Sequence, residues 1–177
     1  MNFCEKYTLL HRLMTDHKRE SFVETGTYEA KMSLKMSDLT SNVRSIELSE
    51  KLHNEALVQV KKAKKDGVIT LILGNSAEQL PKALDGASKP LVWLDAHWSA
   101  GKTVRDDSGS DTPIVAELHA LKEWGGDAVI AIDDLWCFNG KNGYPTFERL
   151  REIVRELWPT ATLTRVDECV WFQVDPA

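Results

Sequence analysis

Two apolar runs in this chain of 177 residues end in acids. Pro90-Leu91-Val92-Trp93-Leu94 leads into Asp95, and Ala128-Val129-Ile130-Ala131-Ile132 leads into Asp133 and Asp134. A carboxylate costs several kcal/mol to desolvate, so acids that close buried strands require a metal, a cation or a polar ligand as partner. Three further segments have a similar design. Glu24-Thr25-Gly26-Thr27-Tyr28 closes a first short run, Glu47 closes a second, and Gly74-Asn75-Ser76 closes a third. A glycine at a strand-to-helix turn lets backbone approach a ligand closely, and the helix that follows offers unpaired N–H groups. Glu47, placed 21 residues beyond Gly26, is positioned either to accept hydrogen bonds from two ribose hydroxyls or to sit solvated at a strand end. Asn75 and Ser76 could meet the edge of a base, or simply cap a helix.

These residues need elements that bring them to one edge. Runs rich in Val and Ile without strict alternation are what strands covered on both faces show. They predict strands at 21–25, 43–48, 68–73, 91–95 and 128–133. Between them lie helical patterns. Ser49 can cap a helix carrying Leu52, Ala56, Leu57, Val60 and Ala63 inward, with Gly67 at its end. Asp111-Thr112-Pro113 opens one with Ile114, Val115, Leu118 and Leu121 inward, stopped by Gly125-Gly126. Thr146 opens another with Leu150, Ile153, Val154 and Leu157 inward, ended by Pro159, and residues 4–18 suit a leading helix. Residues 160–166 and 169–174 are strand-like and joined only by Asp167-Glu168, which permits a hairpin and forbids a parallel crossover. The pattern predicts one α/β domain over 1–177, with 1–20 a leading helical segment and an antiparallel pair at the end. In an open α/β sheet, ligands bind at the carboxyl ends of the strands. The glycine-containing loops 99–110 and 135–145 fall on that edge and are longer than ordinary connections, either as functional loops or as excursions.

Composition narrows the function. The chain is 42% hydrophobic and 28% charged with a net charge of −5, which fits a folded soluble domain and argues against a nucleic-acid partner. No run approaches the ~20 apolar residues of a membrane helix, and the first 20 residues lack the apolar core of a signal peptide. Cys4, Cys137 and Cys169 are three in number and far apart, so reduced thiols and a cytoplasmic setting are expected.

Taken together, Glu24-Thr25-Gly26, Glu47, Gly74-Asn75-Ser76, the acid after the fourth strand and the terminal hairpin resemble the class I S-adenosylmethionine-dependent methyltransferases, over nearly the whole chain from Phe22. The resemblance implies a Rossmann-like α/β/α sandwich with a seven-stranded sheet in the order 3-2-1-4-5-7-6. It places Glu24, Thr25, Gly26, Thr27 and Tyr28 against the methionine part of the cofactor. Glu47 would hold its ribose, and Asn75 with Ser76 would lie near its adenine. Asp95-Ala96-His97-Trp98 and Asp133-Asp134 are similar to segments of the metal-dependent O-methyltransferases of the catechol, caffeoyl-CoA and macrolide-sugar types. By that resemblance Asp95, Asp133 and Asp134 bind Mg²⁺, Asp95 and Trp98 border the cofactor, and the acceptor is a small molecule bearing a hydroxyl. Mg²⁺ would orient that hydroxyl and lower its pKa. His97 or Lys102 would take its proton, as a neutral imidazole or a lysine of depressed pKa. The departures are Tyr28-Glu29-Ala30 in place of small residues, Ala96 inserted before His97, and Ser99 where the catechol-type enzymes carry a lysine.

Two other functions stay open: a catalytically silent binding protein of the same fold, and an NAD-type enzyme, against which the missing GxGxxG glycines count. A homo-oligomer is compatible with all three. His11, His17 and His53 read as helix-surface residues, His119 between apolar positions as a satisfied or exposed helix histidine rather than a ligand, and Lys61, Lys62, Lys64 and Lys65 as cations at a helix C-terminus. Trp93, Trp124, Trp158 and Trp171 are expected in the core, whereas Trp98 and Trp136 follow ligand-edge acids and are expected to line a pocket. Asp106, Asp107 and Asp111 could supplement a metal site or serve an acidic loop and a helix cap.

Overall fold

In a computed structural model, which describes residues 1–96 and 111–176, the chain alternates strand and helix before closing on a hairpin. The strands are β1 (Ser21–Thr25), β2 (Val43–Glu47), β3 (Ile69–Leu73), β4 (Pro90–Leu94), β5 (Ala128–Ile132), β6 (Thr164–Val166) and β7 (Cys169–Val174). They form one sheet in the order β3-β2-β1-β4-β5-β7-β6. The first five are parallel, and β7 runs antiparallel to both β5 and β6. Fold class and strand order are those the resemblance implies. β1, β4 and β5 are buried at every position, which is why β4 and β5 read as continuous apolar runs rather than alternating ones, while β1 buries Ser21, Glu24 and Thr25 beside Phe22 and Val23.

The helices are α1 (Phe3–Asp16), α2 (Lys31–Met36), α3 (Glu50–Lys62), α4 (Ser76–Leu84), α5 (Ile114–Trp124) and α6 (Phe147–Leu157). One core lies on the α4, α5 and α6 face of the sheet. The other is built by α1, α2 and α3 on the opposite face. Capping follows the sequence: Ser49 accepts from the Leu52 N–H, Thr146 from Arg149, and Gly125 closes α5 with φ +68°.

Several details differ from expectation. The helix α3 stops at Lys62 rather than Gly67, and Lys64 takes the left-handed turn with φ +57°. On α5 Val115 faces outward and Glu117 is buried in its stead, because the stripe follows the 114, 117, 118, 121 spacing of one helical face. His17 lies edge-on to Trp171 with centroids 4.9 Å apart and hydrogen-bonds Gln173, so it is not a bare surface residue. Trp93 and Trp158 are buried as expected, and Trp124 and Trp171 pack partly buried against the cores.

Candidate active site at the carboxyl edge of the sheet

Parallel pairing in register puts the strand ends side by side. Thr25 pairs with Ile46 and Leu94, Glu47 with Leu73, and Leu94 with Ile132. The segments 24–28, 47–49, 74–76, 95–96 and 133–134 therefore share one edge.

The β1 turn owes its glycine to a neighbouring strand. Gly26 has φ +86°, and a Cβ there would lie 2.5 Å from the Asp95 carbonyl oxygen. Its N–H bonds the Ile46 carbonyl at 2.9 Å, so the turn is pinned between β2 and β4. Tyr28 and Ala30 also have positive φ, at 47° and 57°, conformations that side chains with a Cβ adopt at a cost of order 1 kcal/mol each. Glu29, the acid that departs from the expected small residues, pairs with Lys31 at 2.6 Å.

Two carboxyls are fixed beside this turn. Glu24 is 2% exposed. Ser33 donates to its Oε2, and Ser45 donates to the same atom at 2.8 Å. Thr27 lies 2.6 Å from Ser45 Oγ, which extends the chain Thr27–Ser45–Glu24. Burial pushes the Glu24 carboxyl up to about 8, the two serines oppose the rise, and the charges of Asp95 and Glu47 add to it. At pH 7 Glu24 is therefore mainly a neutral acid. Glu47 is 7% exposed. It accepts the Tyr28 N–H on Oε2 and the Ser49 N–H on Oε1, both at 2.9 Å. A carboxylate has about four lone-pair sites, so the two amides fix its plane and leave capacity for two further donors.

At the end of β3, Asn75 caps α4, its Oδ1 accepting from Ala77 at 3.0 Å, and Ser76 is the first helical residue. The cap is thus present, at the edge where a base could also lie.

The acids after β4 and β5 converge. Asp95, Asp133 and Asp134 offer carboxylate oxygens that all lie within 4.8 Å of one another. Asp133 is 3% exposed. Its Oδ1 accepts the Asp134 N–H at 2.7 Å and the Cys169 thiol at 3.3 Å. Burial and the neighbouring charges of Asp95 and Asp134 raise the Asp133 carboxyl to about 6, although Lys6 opposes the rise. Lys6 was not among the expected site residues. Its Nζ stands 2.5 Å from Asp133 Oδ2 and 3.2 Å from Asp134 Oδ1, and these contacts hold its own pKa above the ordinary lysine value despite the cost of burial. The signal for it was a lysine three and four residues before the buried Leu9 and Leu10, on the apolar face of α1. Ser33 and Ser45, the partners of Glu24, were also missed, since nothing local to either sequence points across the sheet.

A small cleft opens between Asp95, Asp133 and the segment 135–145, lined by Asp95, Ala96, Thr112, Asp133, Phe138 and Tyr144 among others. The loop 135–145 therefore does face the site, through Phe138 and Tyr144. Trp136, expected to line a pocket, is 66% exposed and does not line this cleft, while Leu135 takes the buried position of the short helix 135–137. His97, Trp98, Lys102, Asp106 and Asp107 lie outside the described residues.

Three hard carboxylates suit Mg²⁺ by donor chemistry. Its fit fails on position: an ammonium already stands against both Asp133 and Asp134, at 2.5 and 3.2 Å. A metal could bind both carboxylates only by displacing Lys6.

No protein-family model matches the sequence, and no curated protein matches it. Solved structures do. The chain is similar to the O-methyltransferase TomG from Streptomyces achromogenes, solved with S-adenosylmethionine, at 17% identity and TM-score 0.67 over all of this chain and 82% of that one. It is similar to cofactor-bound Rv0187 from MTB, at 15% identity and TM-score 0.66 over all of this chain and 83% of that one. A candidate rRNA methylase from Clostridium thermocellum aligns at 12% identity and TM-score 0.64 over 96% of each chain. At such identities the likeness is one of fold, and the fold is that of the class I methyltransferases.

Proposed function

We propose that this chain transfers the methyl group of S-adenosylmethionine to a hydroxyl of a small molecule. The observation that carries the proposal is Glu47, a buried carboxylate held flat by two backbone amides beside the Gly26 turn, with acceptor capacity left for two hydroxyls. It stands in a fold whose neighbours include structures solved with the cofactor bound. When bound, the cofactor supplies an electrophilic methyl on a sulfonium, which an acceptor oxygen attacks as the carbon–sulfur bond breaks.

The residues divide the work by position along the edge. Glu24, Thr25, Gly26, Thr27 and Tyr28 form the turn that takes the methionine end, with Glu24 available as a neutral carboxylic acid. Glu47 binds the ribose. Asn75 and Ser76 border the base, and Asp95 borders the cofactor from the β4 end, a role the family resemblance also gives to Trp98. Asp133 and Asp134 face the acceptor, and His97 or Lys102 takes its proton. No step is assigned to Mg²⁺, given the place of Lys6. The net charge of −5 favours a small acceptor over RNA.

Calorimetry with S-adenosylmethionine tests the cofactor, and transfer of a tritiated methyl group to a panel of hydroxylated small molecules tests the acceptor class. Binding in the micromolar range is expected. A chain that is folded but binds neither S-adenosylmethionine nor its demethylated product refutes the proposal.

A further inference from the structure

We propose that Lys6 is the resident cation of the acidic site, an ammonium delivered by the first helix to the place a divalent ion would otherwise take. The inference goes beyond methyl transfer, because it concerns how Asp95, Asp133 and Asp134 are neutralised, and its test reads metal binding directly.

Three carboxylates within 4.8 Å of one another repel strongly when charged. Something positive must stand among them, and the described residues supply it. Lys6 Nζ contacts Asp133 at 2.5 Å and Asp134 at 3.2 Å, its side chain 19% exposed and those of the two acids 1% and 14%. Two of the three ammonium donors are used by these contacts. The helix places Lys6 by packing rather than by chance reach. Lys6 lies three, four and seven residues before Leu9, Leu10 and Leu13, the spacing of a single helical face. Those leucines are 4%, 0% and 2% exposed against the sheet. The first turn is fixed as well, since Asn2 and Glu5 cap each other's backbone amides reciprocally. With the helix docked, the lysine stem extends from the apolar face to the carboxyl edge, and its charge meets β5.

Mg²⁺ needs oxygen ligands at about 2.1 Å and demanding octahedral geometry. To bind Asp133 and Asp134 together it must displace the ammonium from both carboxylates. A lysine is also a poor mimic of a metal in one respect that matters: it does not dissociate. The acids of this chain are thus held ready without any ion from solution.

The test compares the full-length wild type with Lys6→Met and Lys6→Arg, using Mn²⁺ electron paramagnetic resonance and Mg²⁺ calorimetry. Wild type and Lys6→Arg are expected to bind more weakly than about 1 mM, outside the range of dedicated sites. Lys6→Met removes the charge and empties the place, so Mn²⁺ affinity should rise at least about tenfold. Adding Asp133→Asn should abolish that gain. Sub-millimolar binding by the wild type overturns the proposal, and so does a folded Lys6→Met chain that binds no more tightly than wild type. A measurement without variants stands beside these should Lys6→Met not fold. In the wild type an amine-reactive reagent should label Lys6 at least about tenfold more slowly than Lys31 or Lys51, as an ion-paired, half-buried ammonium does. Mg²⁺ at millimolar concentration should leave that protection intact, and labelling of Lys6 accelerated by Mg²⁺ would show that the metal displaces it. S-adenosylmethionine affinity, measured in parallel, reports separately on the proposed methyl transfer.

Discussion

Replacing Glu24 with glutamine should change how stability depends on pH. Glu24 is wholly buried, and desolvation carries its carboxyl from 4.5 to about 8 against the opposing bonds of Ser33 and Ser45. Below pH 4.5 the group is protonated in folded and unfolded chains alike and costs nothing. Between 4.5 and about 8 the unfolded chain loses the proton while the folded one keeps it, so the folded state binds more protons and stability falls as pH rises. Above about 8 the loss is complete, at about 5 kcal/mol from 1.36 kcal/mol per pH unit. Glutamine is nearly isosteric and accepts from both serines through its carbonyl oxygen, but it does not titrate. Its extra buried N–H₂ group shifts stability by an amount that does not vary with pH. Urea unfolding of both chains at pH 5, 6, 7 and 8 isolates the titration, since every other group cancels in the difference. The stability of Glu24→Gln relative to wild type should rise by about 3 kcal/mol from pH 5 to pH 8. A difference flat to within about 0.5 kcal/mol, the scale of extrapolation error, would refute the reasoning and mean that Glu24 is ionised in its buried site.

Other outcomes follow from the same geometry. Gly26→Ala combines a φ of +86° with a Cβ 2.5 Å from a backbone oxygen, and should cost more than about 2 kcal/mol in urea unfolding. Glu47→Ala strips the acceptor from two backbone amides, at about 1–3 kcal/mol of stability, and should also weaken S-adenosylmethionine about tenfold or more by calorimetry. Loss of stability with unchanged affinity would remove Glu47 from the cofactor. Leu10→Ala at 0% exposure should cost about 2–5 kcal/mol and, by loosening α1, speed amine labelling of Lys6. Asn75→Ala should cost about 1 kcal/mol through the α4 cap, and any loss of cofactor affinity beyond that of a weakened helix would place it at the base.

Much of the architecture was legible because burial leaves a plain mark on strands. The runs at Leu91 and Ala128 are apolar without alternation since both faces are covered by helices. Short or irregular helices were less so. The helix α2 spans only six residues behind a left-handed Ala30, and α4 carries Pro81 inside it, so neither shows a clear 3.6-residue stripe. The carboxyl ends of the first five strands were legible to within a residue, and the acids on them were found for that reason, whereas the sixth begins at Thr164 rather than Thr160. Adjacency to an acid says nothing about rotation within a one-turn helix, where Leu135 is buried and Trp136 exposed.

That the acids share an edge follows from the order of strands and helices along the chain. Strands alternating with helices run parallel, parallel strands end on the same side, and Glu24, Glu47, Asp95, Asp133 and Asp134 all sit at or beside such ends. What meets them there depends on long-range packing. Lys6 is 127 residues from Asp133 along the chain, and no local pattern encodes so distant a pair. Their meeting depends on how Leu9, Leu10 and Leu13 seat the first helix on the sheet. The same holds for Ser33, Ser45 and the Asp95 carbonyl that demands Gly26, since packing sets those distances once every other element is in place.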